Sequence, residues 1–328
     1  MTITNTTDAM AYEGSIKGLR YYDGVLSPIQ SSDSVDSVLL DTDLAWQMRK
    51  EPVFTTNPDG VSDPKHSERH AAVWATHELT GEHQFTESIV GKDSFTFTQN
   101  RPIVEAFMEV AATGLITPTM GGSLDKHTKA FMHFTVGDDY TIRTDLHRKG
   151  LLVAWGHDGS AALTLRPVVH RIQCMNQVNA FGRYRKGEQA LFTIRHTKSA
   201  LPKMETLTST IAEAIATLDG YDQMMRELMD VKIINAEFDR YLEQLLPIDA
   251  KIANSPEHLL STGEKRSRTI VENKRSSMRE VYYASDTQSD LRDTAAGAFH
   301  AAVEAFDHRF SGNRGRRLLT GADEQFKA

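Results

Sequence analysis

The sequence predicts an α+β fold, in which a mostly antiparallel sheet is crossed by one helix and followed by long helices. Short apolar runs separated by turn-forming residues fill residues 70–174, a pattern typical of neighbouring antiparallel strands. Apolar residues at helical spacing appear behind Pro102 and again after Lys203. Hydrophobic residues make up 40% and charged residues 25% of the 328 positions, which excludes a wholly disordered or low-complexity chain.

The N-terminal part is predicted to begin with a mobile arm over residues 1–35, because Ser, Thr, Asp and Gly dominate there with weak periodicity. Asp41 or Thr42 is expected to cap a short helix that carries Leu44 to Met48. A short strand over Val53 to Thr56 and a turn region rich in Pro, Asp and Gly follow.

A hairpin and a crossing helix are predicted next. Thr80–Gly81–Glu82 marks the turn of a hairpin within residues 70–98, and Ser94 to Thr98 alternates as a strand does. The helix begins behind Pro102 and ends at Gly114, in the position where glycine commonly closes a helix.

Several further strands are expected in the middle of the chain. They are Leu115–Met120, Ala130–Val136, Leu151–Trp155, Ala161–Leu165 and Val168–Cys174. Arg166 and Pro167 are expected to separate the last two, since proline cannot donate to a ladder. The tight turn His157–Ser160 contains Asp-Gly, and residues 175–182 are predicted to enter a short helix.

Helices dominate the rest of the chain. An apolar stripe from Met204 to Val231 predicts a helical segment 203–247, which completes an α+β core over 36–250. We expect the stripe to pack on its own sheet, the alternative being a seam for a partner helix. Residues 251–328 are predicted to hold a basic linker and a C-terminal helix, Ala295 to Phe310. Phe299, Val303 and Phe306 are expected on one face of that helix.

The sequence lacks the usual signals for secretion, membrane insertion and cofactor binding. The N-terminus has neither a basic nor an apolar signal-peptide region, and no apolar run approaches the ~18 residues of a membrane span. We therefore expect a cytoplasmic protein without membrane contact. Cys174 is the only cysteine, and no nucleotide-triphosphate loop, Rossmann fingerprint or metal-ligand spacing occurs. No metal and no cofactor is expected.

Charge is distributed unevenly along the chain. The net charge is −7, yet residues 143–198 carry ten basic and three acidic residues, which is +7 against −14 for the remainder. Such asymmetry indicates a polyanion-binding surface, although strands that expose Lys and Arg to solvent explain it equally well. The predicted phosphate contacts are Arg143, Arg148, Lys149, Arg183, Arg185, Lys186, Arg195, His196 and Lys198. Tyr184, and Phe181 if it is not a core residue, could stack on bases.

A family resemblance rests on the order of several motifs. They are TFTQNRPIVEAF (96–107), GGSL (121–124), WGHDGSAAL (155–163), RPVVHRIQCMNQVNAF (166–181), RHTKS (195–199) and AAGAFHAAVEAFDHR (295–309). From about Asp43 onward the chain resembles a phage- and plasmid-borne family, domain of unknown function nine-three-two. His300 stands where that family has Asn, and Trp155–Gly156 replaces a small polar pair. The resemblance implies a mobile-element protein made inside a bacterium, and carries over no catalytic residue.

Three functions follow as hypotheses. The first is ATP-independent binding or annealing of single-stranded DNA by a homo-oligomer, since the predicted architecture is broadly similar to annealing proteins of the RecT and Redβ type. The second is a phage accessory protein that binds and redirects a host protein. The third is a metal-dependent nuclease using Asp138, Asp139 and Asp158, which no ligand spacing supports. His157 and Ser160 could also suggest a base and a nucleophile, but a tight turn rarely points such neighbours at each other.

Overall fold

The architecture was obtained as a computed structural model, which describes residues 27–29, 33–55, 65–143, 145–171, 176–179, 192–194 and 207–310. Two antiparallel sheets are followed by a helical C-terminal part, which confirms the predicted α+β class. None of the described helices combines the length and the apolar character needed to cross a membrane.

The start of the chain differs from its prediction in two places. Within the predicted arm 1–35, strand β1 (Ser27–Pro28) pairs with a strand of the large sheet, and Ile29 is buried. Helix α1 (Val35–Asp41) begins at Ser34, whose side chain accepts a hydrogen bond from Ser37 N. The predicted helix over Leu44 to Met48 is wrong.

That segment instead enters strand β2 (Trp46–Thr55), which also contains the strand predicted at Val53. Trp46 and Met48 are buried while Gln47 between them is exposed. This period of two identifies a strand with one covered face, and it overrides the helical spacing visible in so short a run.

A small three-stranded sheet has the order β2–β3–β4, with β3 at Lys65–His77 and β4 at His83–Gly91. The predicted turn is confirmed, and Gly81 adopts φ +69°, which favours glycine. Residues 95–99 form no strand, contrary to the alternation seen there. Lys50 Nζ donates to the carbonyl oxygens of Lys92 and Phe95 and fixes this connection.

The crossing helix α2 (Asn100–Ala112) is confirmed. Its C-cap is Thr113, and Gly114 follows with φ +79°. Phe107, fully buried, stacks on Phe134 of the large sheet with ring centroids 5.3 Å apart. The helix therefore covers one face of that sheet.

The large sheet has the order β1–β5–β6–β8–β9–β10, with β7 paired to β8 and β11 paired to β9. Its remaining strands are β5 (Thr117–Leu124), β6 (Lys129–Thr135), β7 (Tyr140–Ile142), β8 (Asp145–Gly156), β9 (Leu163–Arg171), β10 (Asn176–Asn179) and β11 (Phe192–Ile194). Every pairing is antiparallel.

Strand β9 passes through Arg166 and Pro167, where the sequence predicts a break. Pro167 pairs with Leu151 of β8, while β11 pairs with residues 163–165 and β10 with residues 168–171. Neither of these two edge strands pairs with Pro167, so its missing N–H leaves the described ladder intact. Residues 176–179 form β10 rather than the start of the predicted helix.

Helix α3 (Leu207–Asp230) continues without interruption through Gly220. Ile211 belongs to the core shared with α2 and the large sheet, and Leu218 and Met225 pack beside Val169 of β9. The predicted packing of the apolar stripe on its own sheet is confirmed. Helix α4 (Asn235–Leu245) is separate, so the predicted segment 203–247 contains two helices.

The region predicted as a basic linker contains two helices and, before and after the second of them, two 3-10 turns, of which the later is Asp286–Gln288. The others are α5 (Ala250–Asn254), the turn Glu257–Leu259 and α6 (Thr262–Ala284). A capping box formed by Ser261 and Glu264 starts α6. Only the second half of α6 has a buried apolar face, at Met278, Val281 and Tyr282, which explains why the sequence pattern indicates a linker.

Helix α7 (Ala295–Glu304) ends in a π-helical turn, Ala305–Arg309. Phe299 and Val303 pack beside α3, whereas Phe306 packs in a second cluster with α4 and α6. The prediction of a single apolar face is therefore wrong, because α7 is covered from two sides.

Candidate functional site

The predicted phosphate-binding cations of the large sheet have carboxylate partners. Arg143 Nη2 donates to Asp230 of α3. Arg148 donates through Nε and Nη2 to the two carboxylate oxygens of Asp139, at 2.5 and 2.6 Å. A bidentate pair of this kind holds the guanidinium in place and neutralises it.

Lys149 is held more tightly. Its Nζ lies 2.8 Å from Asp219 Oδ1 and 3.0 Å from Asp222 Oδ2, and 4.9 Å from the centre of the Tyr140 ring. The side chain is 17% exposed. Burial lowers its pKa, but the two carboxylates more than compensate and raise the pKa of Lys149 above its ordinary value. This cation connects β8 to α3.

The other predicted contact residues lie outside the described part of the chain. They are Arg183, Tyr184, Arg185, Lys186, Arg195, His196 and Lys198, and Phe181 lies there with them. The three that the structure places, Arg143, Arg148 and Lys149, all engage carboxylates of their own chain.

A second group of cations has no such partners. Lys265, Arg266 and Arg268 lie in the first two turns of α6. Among the described residues, no carboxylate lies within 4.0 Å of any of them. The basic run is visible in the sequence, but its sparse apolar residues favour a linker there and hide its place on a helix.

A groove of about 690 Å³ borders these cations, within the usual size range of ligand sites. It lies between the α5–turn segment and α6, and is lined by Ala253, Asn254, Ser255, Pro256, Glu257, Leu260, Lys265, Arg268, Thr269, Glu272 and Asn273. The lining combines two cations with amides, hydroxyls and carboxylates. Such a set can hold an anionic group and hydrogen-bond a polar one beside it.

The wall of this groove is fixed to the helical part by Arg275. Its Nε and Nη2 donate to the carbonyl oxygen of Leu246 at the end of α4, at 3.1 and 2.8 Å. Its Nη1 donates to Glu272 at 3.0 Å. A cation at a helix C-terminus is favourable, so Arg275 orients α6 against α4.

The family motifs meet elsewhere, at one end of the large sheet. Asn100 Nδ2 donates to the carbonyl oxygens of Leu44 and Trp46, at 3.0 and 3.1 Å. Its Oδ1 accepts from Trp155 Nε1 at 2.9 Å and lies 2.8 Å from His157 Nε2. The buried amide of Asn100 thus uses all four of its hydrogen-bonding positions. This gives the asparagine of the TFTQNRP motif a structural role.

Asp43, Ser123 and His127 form a partly buried cluster beside that amide. Ser123 Oγ donates to Asp43, and His127 Nδ1 lies 2.9 Å from Ser123 Oγ and 3.1 Å from Asp43 Oδ2. Trp46 stacks on His127 at 4.0 Å, and His127 Nε2 meets Gln84 Oε1 at 2.9 Å. Burial raises the pKa of Asp43, but its hydrogen bonds lower that pKa overall.

This cluster joins β5 to the α1–β2 connection rather than presenting a nucleophile. Ser123 is only 4% exposed, and both Ser123 and Asp43 approach the same imidazole nitrogen. A catalytic triad needs the serine and the carboxylate on opposite nitrogens of the ring.

A buried ion pair joins the large sheet to the helical part. Arg171 Nε lies 2.9 and 2.7 Å from the two oxygens of Asp145, and its Nη1 donates to Thr287 O at 2.7 Å. Burial raises the pKa of Asp145, but hydrogen bonds with His147 and Arg171 bring that pKa below its ordinary value. His300 of α7 lies near His147, and burial together with Arg171 lowers the pKa of His300 well below 6.5.

A buried histidine pair lies between β6 and β9. His133 Nε2 and His170 Nε2 are 2.9 Å apart, and Thr119 Oγ1 lies 2.7 Å from His133 Nδ1. Burial is the main cause that lowers both pKa values, and Arg148 adds to it. The pKa of His170 falls to about 4. Both rings are neutral at pH 7.

The carboxylates of the nuclease hypothesis do not converge. Asp139 pairs with Arg148 near the start of β8, whereas Asp158 follows the end of β8 and accepts hydrogen bonds from Ser160. No group of three or more metal-ligating side chains occurs among the described residues. His157 bonds Asn100 and Ser160 bonds Asp158, so the turn brings no base to a nucleophile.

Comparison with known proteins yields one match. No curated protein and no solved structure matches the chain. The family described as Domain of unknown function (DUF932) matches residues 88–322, which is most of the chain. The chain belongs to this family.

Proposed function

We propose that the protein binds single-stranded DNA without ATP and acts as a homo-oligomer in DNA transactions such as strand annealing. We place it in the bacterial cytoplasm as a phage- or plasmid-encoded protein, as the motif resemblance implies. The observation that carries the proposal is the cationic start of α6, with which no carboxylate of the described residues pairs, beside a polar groove.

Available positive charge is the physical requirement for this function. A phosphate binds a cation by displacing water and counterions, and a cation that already contacts a carboxylate must first lose that partner. Lys265, Arg266 and Arg268 carry no such partner among the described residues. They occupy i, i+1 and i+3 positions, so two of them line the groove and one lies beside it.

Fluorescence anisotropy with labelled single- and double-stranded oligonucleotides, at about 50 and 200 mM salt, tests the proposal. We expect salt-sensitive binding that favours single strands, with growing complexes in mass photometry. Absence of binding at the lower salt concentration would reject it.

A triple substitution locates the contact. Lys265→Gln, Arg266→Gln and Arg268→Gln together should lower the salt slope by about 2, because each single-strand phosphate contact contributes about 0.7. Arg226→Gln, Lys232→Gln and Arg240→Gln form the control, since these cations are exposed on the helical part and, like those of α6, have no carboxylate within 4.0 Å among the described residues. An equal loss in both triples would point to net charge instead of α6.

Host-protein binding is the second candidate, and the outer face of the three-stranded sheet favours it. Phe85 and Ile89 are 42% and 54% exposed, and the Phe85 ring lies 5.4 Å from that of Trp74. Exposed apolar groups of this kind mark protein contacts. A specific pull-down partner lost on Phe85→Ser and Ile89→Ser, in a protein without DNA affinity, would make this the function.

A further inference from the structure

We infer that the groove beside α6 reads unpaired bases through their exocyclic amino groups, and so favours cytosine and adenine over thymine. The inference rests on the proposed function and adds a base preference to it. Lys265 and Arg268 would hold the phosphate, and the carboxylate of Glu257 would accept the amino group.

The two carboxylates of the groove differ in availability. Glu272 accepts a hydrogen bond from Arg275, which is also bound to Leu246 O. Glu257 is exposed on the opposite wall, and its carboxylate has no hydrogen-bond or ion-pair partner among the described residues. Of the two carboxylates in the groove, that of Glu257 is thus the available one.

An available carboxylate weakens the binding of phosphate alone, because like charges repel. A ligand that carries a hydrogen-bond donor as well as an anionic group gains a favourable contact with the carboxylate, because the donor binds to it. Cytosine and adenine carry such a donor in their amino groups, whereas thymine has a carbonyl oxygen at the corresponding position and only its ring N3–H as a donor. The mixed charge of the groove therefore matches a nucleotide with an amino-bearing base.

The contact that we infer requires unpaired bases. Proteins hydrogen-bond the pairing edges of bases only when the strand is single and the bases are turned outward. The described residues that line the groove include no aromatic side chain, so stacking on an aromatic ring does not supply the contact there. Hydrogen bonding to base edges remains, and hydrogen bonding distinguishes bases where stacking does not.

Anisotropy titrations with oligo-dC, oligo-dA and oligo-dT of equal length, about 12 nucleotides, test the inference. We expect roughly tenfold tighter binding of oligo-dC and oligo-dA than of oligo-dT, the discrimination that one charged contact to a base edge gives. An oligonucleotide with 2-pyrimidinone in place of cytosine lacks only the amino group, and it should bind as oligo-dT does.

Glu257→Gln separates base reading from phosphate binding. It should bring the dC-to-dT affinity ratio close to one while keeping the salt slope, because the amide loses the negative charge and the phosphate contacts stay. Lys265→Gln with Arg268→Gln should weaken all three oligonucleotides alike. Glu257 is exposed, and circular dichroism confirms that its variant is folded.

Two outcomes overturn the inference. Equal affinities for the three oligonucleotides, or a ratio that Glu257→Gln leaves unchanged, would reject base reading while the salt slope and the α6 substitutions still support DNA binding. Absence of DNA binding in the wild-type protein would reject both the base preference and the proposed function.

Discussion

The large sheet and helix α6 are both rich in basic residues, but they use them differently. Arg143, Arg148 and Lys149 contact aspartates of the same chain, and the contacts of Arg143 and Lys149 join the sheet to α3. Lys265 and Arg268 contact no carboxylate among the described residues and line a groove. A count of charges along a sequence therefore overstates the positive surface where aspartates from distant segments fold back onto it.

The largest effect is expected where a buried pair is broken. Arg171→Met leaves the Asp145 carboxylate buried beside His147 without its guanidinium, which should lower the free energy of unfolding by about 3–5 kcal/mol. Urea denaturation measures this change. Adding Asp145→Leu should restore most of the loss, whereas Arg266→Gln on α6 should change stability by less than about 0.5 kcal/mol. A small effect of Arg171→Met would show that the sheet does not depend on its pairs.

Acid should weaken the sheet through its buried histidines. In the unfolded chain the imidazole of His170 binds a proton below about pH 6.5. In the folded protein its pKa is about 4, so it binds the proton only near that pH. Stability is therefore complete above pH 6.5 and falls as the pH drops to about 4, by about 3 kcal/mol for His170 alone. Denaturation midpoints measured across this range check the slope, which should become shallower in His170→Gln. An unchanged slope in that variant would assign the acid sensitivity to other groups.

A smaller effect is expected at the edge of the three-stranded sheet. Gln99 Oε1 accepts from Met48 N at 2.9 Å, and Gln99 Nε2 donates to Met48 O at 2.8 Å. Gln99→Ala should cost about 1–2 kcal/mol, since water replaces part of both hydrogen bonds. Faster hydrogen exchange at the Met48 amide would accompany the loss. Gln99→Glu keeps the acceptor and should retain protection of that amide, while slow exchange in the alanine variant would contradict the assignment.

The smallest effect concerns the exposed pairs of the large sheet. Arg143→Gln and Arg148→Gln should each change stability by less than about 1 kcal/mol, as exposed ion pairs do, and should leave single-strand affinity unchanged. The anisotropy assay used for α6 measures the second quantity. A loss of affinity as large as that of the α6 triple would show that cations already paired with carboxylates contribute to DNA binding as much as those of α6 do.

Local signals predicted the parts of the fold that depend on local chemistry. Gly81 and Gly114 require left-handed backbone, so the hairpin turn and the end of α2 were visible in the sequence. Strand β9 was not, because Pro167 is tolerated only where the two edge strands leave it unpaired. The partners of Arg143 and Lys149 lie on α3, 87 and 70 positions away, and sequence spacing carries no information about such contacts.

Helix α6 is a part of the fold that local signals did not predict. Its first two turns are polar all round, so periodicity gave no sign of a helix there. Its capping box and its attachment through Arg275 decide its place. The candidate groove depends on that attachment, and it could not be predicted from the basic run alone.

The Gln99 side chain occupies the position that a neighbouring strand would take beside Met48, and Pro52 further along β2 has no N–H to offer. This edge is thus closed to the addition of another strand. Addition of a strand to this sheet is thereby restricted to its other edge, β4. The closure protects the β2 edge from aggregation through strand pairing.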